Sequence, residues 1–129
     1  MMRRVTLLLT PLLLAAAAPA EKRALDIRYV GDDATTERFA EALRTALPAS
    51  ERLRAPDADD DDLALVILAD VASEKKRFRY SVDLMKVNPG FSPDRLGSFE
   101  GKCREDELAD CAGGILADAE RAVRKAEKD

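Results

Sequence analysis

At 129 residues, with 36% charged and 5% aromatic side chains and a formal net charge of −4, the chain is sized for one small domain and lacks the positive excess that nucleic-acid binding requires. It has no histidine, which removes the commonest general base, the commonest metal ligand and every Ser/His/Asp triad. No G-x-S-x-G, P-loop or G-x-G-x-x-G segment occurs, so the residues name neither a catalytic group nor a cofactor.

The first element is an export signal. Met1-Met2-Arg3-Arg4 supplies the basic start, Val5 to Ala18 is apolar except at Thr6, Thr10 and Pro11, and Ala18-Pro19-Ala20 supplies the small residues a signal peptidase accepts. Cleavage is expected after Ala20. The 14-residue apolar run is shorter than the roughly 20 residues that span a bilayer, and both cysteines lie far downstream of a lipidation site, so neither an anchor nor a lipid is expected. Losing residues 1–20 removes Arg3 and Arg4 and no acid, leaving 19 basic against 25 acidic side chains, a net charge of −6. Residues 21–129 then form one periplasmic or secreted domain, without stable membrane insertion.

Along that domain, Leu25, Ile27 and Tyr29 alternate with Asp26 and Arg28, the period of a half-exposed strand ended by Gly31-Asp32-Asp33. Phe39, Leu43, Ala46 and Leu47 then fall on one helical stripe, capped by Asp33 or a threonine and stopped by Pro48. Residues 49–62 read as a polar connection. Leu63 to Ala69 is apolar without alternation, which suggests a central strand covered on both faces, or at least flanked by strands. Phe78, Tyr80, Val82 and Leu84 alternate with Arg77, Arg79, Ser81 and Asp83, and Asn88-Pro89-Gly90 supplies turn chemistry before a shorter strand from about Leu96 to Cys103.

From about Glu105 the stripe Leu108, Ala112, Ile115, Leu116, Ala119, Val123 and Ala126 predicts a final helix. The order is βαβββα, an α+β two-layer sandwich. A right-handed βαβ crossover and an antiparallel meander give a mixed four-stranded sheet with both helices on one face. The other face, bearing Asp26, Arg28, Arg77, Arg79, Ser81 and Asp83, is wet or meets a partner.

Four local features remain. Cys103 and Cys111, the only cysteines of an exported chain, are expected to form a disulfide stapling the last strand to the last helix. Asp57, Asp59 and Asp61 have the first three spacings of an EF-hand loop, but Asp62 replaces its glycine and Leu68 its glutamate, so they are a weak cation candidate inside a solvated acidic loop. Lys75, Lys76, Arg77 and Arg79 are the dense basic patch, a candidate partner-docking surface or a solvated turn. Gly113-Gly114 lies inside a helix at a cost of about 1 kcal/mol per residue relative to alanine, which calls for a close backbone approach or a kink.

The succession Phe39-Ala40-Glu41-Ala42-Leu43-Arg44, Leu63-Ala64-Leu65-Val66-Ile67-Leu68 and Phe78-Arg79-Tyr80-Ser81-Val82-Asp83-Leu84 resembles the N-terminal domain of TolB-type periplasmic proteins over about two thirds of residues 21–129. The resemblance implies docking onto other envelope proteins. The expected function is a noncatalytic envelope interaction module. The alternatives are a small carboxylate- or metal-dependent enzyme and a soluble small-ligand carrier, the latter disfavoured for sugars and flat rings by the few aromatics.

Overall fold

In the computed structural model, which describes residues 21–57, 62–70 and 76–128, the alternating and unbroken apolar runs become strands and the 3.6-period stripes become helices. β1 (Arg23–Val30) leads into α1 (Ala34–Ala46), a 3-10 turn over Leu47–Ala49 and β2 (Leu53–Arg54). β3 (Leu63–Asp70), β4 (Arg77–Lys86) and β5 (Asp94–Arg104) follow, then a 3-10 turn over Glu105–Glu107 and α2 (Leu108–Lys128). Residues 1–20, with the expected export signal and its cleavage site, lie outside the described residues.

The strands stand in the order β2-β1-β3-β4-β5, with β1 parallel to β2 and β3, and β3, β4 and β5 antiparallel in turn. The class, the parallel pairing of β1 with β3 and the antiparallel meander are as expected, but the sheet has five strands among the described residues instead of four. The extra strand, β2, pairs Leu53 with Arg23 and Arg54 with Ala24, and the Arg23 amide donates to the Arg52 carbonyl. Two residues are too few to show a period, and Leu53 is the single fully buried side chain inside a polar stretch. Where β2 no longer pairs with β1, the Arg44 guanidinium of α1 donates to the Ile27 carbonyl at 2.9 Å.

Alternation directs Leu25, Ile27, Leu65, Ile67, Phe78, Val82 and Leu84 toward one face, where they share a core with Phe39 and Leu43 of α1 and Ile115, Ala119 and Val123 of α2. The Phe39 ring lies 5.3 Å from both Phe78 and Tyr80, a cluster that ties α1 to β4. β3 is central and flanked by strands, yet its second face is covered only at Ala64: Leu65 and Ile67 are fully buried on the helix side, whereas Val66 is half-buried and Leu68 is 55% exposed.

Asp33 caps α1, its carboxylate accepting from the Thr36 amide and hydroxyl at 2.8 Å. These hydrogen bonds hold the Asp33 carboxyl below its ordinary value. Pro48 falls in the 3-10 turn that ends the helix. α2 begins three residues later than the stripe suggested, because Glu105–Glu107 form a tighter turn first. Gly90, at φ +82°, closes the Asn88-Pro89-Gly90 turn that only a residue without a Cβ adopts easily. At Gly113 and Gly114, by contrast, α2 runs straight on, and an added Cβ would meet nothing within 4 Å. Neither a close approach nor a break accounts for that pair within one chain.

Candidate functional site

Among the described residues, no helix covers the face of the sheet opposite α1 and α2. Register builds it row by row. One row runs Arg28, Val66, Asp83, Ser98, the next Val30, Leu68, Ser81, Glu100, and the next Asp70, Arg79, Lys102; Arg77 and Arg104 face each other beyond them. Asp26 and Arg28 pair at 2.7 Å, and Asp83 accepts from the Ser98 hydroxyl at 2.8 Å with Arg95 at 3.7 Å. That end of the face is neutralised locally.

The other end is different. Arg77 faces Arg104 and Arg79 faces Lys102, two like-charge pairs on adjacent strands, with Asp70 on the β3 side of Arg79. Directly opposed like charges repel and leave an exposed face attractive to anions. Arg104 is partly neutralised by Asp106 at 3.3 Å and Glu107 at 3.6 Å, whereas Arg77, Arg79 and Lys102 enter no ion pair among the described residues. Bordering the two pairs are two exposed apolar side chains, Val30 (56%) and Leu68 (55%), which are cross-strand neighbours. An open groove of about 470 Å³ lies here, lined by Leu68, Asp70, Arg79, Ser81, Glu100 and Lys102. Its floor is closed by Tyr80, which lies across Gly101 on the helix side; burial pushes the Tyr80 phenol up, and Asp118 adds to the shift.

Of the basic residues expected in a docking patch, Arg77 and Arg79 therefore sit on the open face and Lys76 precedes them, its carbonyl accepting from the Glu105 amide at 2.8 Å. Lys75 lies outside the described residues. Lys102 and Arg104 complete the patch and were not singled out from the sequence. The signal was the turn: counting back from Asn88-Pro89-Gly90 along two alternating strands sets Arg77 and Arg79 opposite them.

Cys103 and Cys111 are bonded, their Cα atoms 6.2 Å apart, joining the end of β5 to the start of α2. Of the cation candidate, Asp57 is exposed and 3.9 Å from Arg54, while Asp59 and Asp61 lie outside the described residues. Asp62, the last acid of the run, instead accepts a two-pronged bond from Arg23 at 2.7 and 2.8 Å, with Glu127 of α2 at 3.7 Å from the same guanidinium. Among the described residues no group of three or more Cys, Asp or Glu side chains could hold a metal ion, and no helix is long and apolar enough to cross a membrane.

No protein-family model matches the sequence, and no curated protein does. Among solved structures, the chain is similar to TolB from Acinetobacter baumannii, with a TM-score of 0.58 and 10% sequence identity over 82% of this chain and 29% of that one. At that identity the likeness is one of fold, and the chain spans less than a third of the length of the protein it matches.

Proposed function

We propose that this domain is a noncatalytic interaction module of the periplasmic or secreted compartment, which docks an acidic segment of another envelope protein on the open face of its sheet. The observation that carries the reading is the two like-charge cross-strand pairs, Arg77 with Arg104 and Arg79 with Lys102, bordering the exposed Val30 and Leu68. A carboxylate-bearing partner would relieve the repulsion within these pairs while its apolar side chains covered Leu68. The TolB-like fold, the export signal read at residues 1–20 and the Cys103–Cys111 bond all fit an extracytoplasmic docking role.

The test is affinity capture from envelope extracts with the wild-type protein and an Arg77→Glu/Arg79→Glu variant, followed by direct titration of the captured protein. A partner lost by the variant, and bound less tightly as salt rises, is the expected result. A partner bound equally by both forms would sink the assignment to this face. So would a strong thermal shift with a metal ion or metabolite and no protein partner, which would favour an enzyme or a carrier.

A further inference from the structure

The long strand β5 stands at the end of the sheet, and among the described residues nothing pairs with its outer side. The opposite edge is the two-residue β2. The outward-pointing amides and carbonyls of this eleven-residue strand make a template for another strand. Two of the usual protections are missing from its regular part, whose charges stand on the open face alone: Gly97 to Arg104 holds no proline, and its helix-side residues Gly97, Phe99, Gly101 and Cys103 carry no charge. The register shift opposite Leu84/Met85 irregularises only the Asp94 end. α2 meets β5 at the Cys103–Cys111 bond and at Ala122 beside Gly97, and between these contacts an open groove is lined by Phe99, Glu100, Asp118 and Arg121 among others.

Two exposed side chains identify what fits. Glu100 and Lys102 flank Gly101 on the open face, and neither enters an ion pair or hydrogen bond among the described residues. Lys102 also faces Arg79. The geometry points to a second copy of this chain as the occupant, with two β5 strands paired antiparallel about a two-fold axis through Gly101. In an antiparallel pair on such an axis, residues equally distant from the centre face each other. Glu100 then meets Lys102 of the second copy, and Lys102 meets its Glu100. Ser98 faces Arg104 on the same side, and Phe99 faces Cys103 on the helix side. Moving the axis one residue either way sets Glu100 against Glu100 or Lys102 against Lys102, so charge selects the register.

The same axis gives a use to one of the exposed glycines. Cys111, bonded to Cys103, and Ala122, against Gly97, turn one flank of α2 toward β5. Gly114, three residues after Cys111 and four before Asp118, shares that flank and lies between those two anchors, as Gly101 does on the strand. Two α2 helices would run antiparallel across the axis, with Gly114 leaving room for their approach. This pairing does not depend on the acidic partner proposed above.

Sedimentation velocity of the purified protein across a wide concentration range tests it. A reversible monomer–dimer equilibrium is expected. Glu100→Lys and Lys102→Glu should each weaken the dimer by about tenfold or more, since two attractive contacts become repulsive. Mixing the two variants should restore association, because each then presents the charge the other lacks, and the double exchange should restore it within one chain. Gly114→Gln should weaken association without lowering the melting temperature of the monomer. A protein monomeric at every concentration, single variants as dimeric as the wild type, or a mixture no tighter than its components would overturn the proposal. Circular dichroism of each variant establishes that the fold is intact.

Discussion

The two faces of this sheet are built from the same strands by the same alternation, and they have opposite jobs. Toward the helices, Leu65, Ile67, Val82 and Leu84 are fully buried; one residue along each strand, Leu68, Ser81 and Asp83 look the other way, with Leu68 left in solvent. A strand read alone gives the period but not which side will be covered. Stability is concentrated on one side and surface chemistry on the other, which frees the open face to carry repelling cations and an exposed leucine.

The largest expected effect sharpens this division. Phe39→Ala removes a fully buried ring that touches Phe78 and Tyr80, and should cost about 3–5 kcal/mol in urea denaturation, whereas Leu68→Ala on the open face should stay within about 0.5 kcal/mol. Comparable losses from the two would break the comparison. Next, Cys103→Ser/Cys111→Ser should lower stability by about 2–3 kcal/mol, because the bond closes a short loop between β5 and α2. Unchanged stability would make the staple dispensable.

A smaller effect belongs to the cap of α1. Asp33→Ala should cost about 1 kcal/mol near neutral pH. Because hydrogen bonds from Thr36 depress the folded-state pKa of Asp33, its contribution is complete above the ordinary value of 3.8 and is lost as pH falls through the depressed one. The melting-temperature gap between wild type and variant should therefore close in acid. A gap that persists at the lowest pH would assign the cap to something other than the ionised carboxylate. Smallest, and of opposite sign, Gly113→Ala should stabilise by up to about 1 kcal/mol, since its exposed site has room for a Cβ. A loss there would mean that the α2 surface is less free than it looks.

What could be read from the sequence follows the same physical divide. β1, α1, β4 and α2 each bury several side chains at one period, so Phe39 with Leu43, or Phe78 with Val82, announce their element before any partner is known. β2 buries Leu53 alone and leaves no period to find. The apolar run of β3 suggested cover on both sides, or at least flanking strands, because Val66 and Leu68 look like core residues in sequence; the flanking strands are there, and among the described residues no helix lies on the Val66 and Leu68 side. Half of the basic patch was visible as Arg77 and Arg79; Lys102 and Arg104 belong to it through cross-strand register, a long-range relation that no local window contains. Asp62 merged with the acidic run until Arg23 singled it out.

The clamp made by Arg23, Asp62 and Glu127 brings the first strand and the last helix to within 3.7 Å of each other. The start of β1 and the end of α2 thus share one corner, so a short tether between them could close residues 23–127 into a ring, with new termini opened at the exposed Pro89-Gly90 turn. In that ring the clamp would stand at the junction, at the β1 end of the sheet away from the β5 edge.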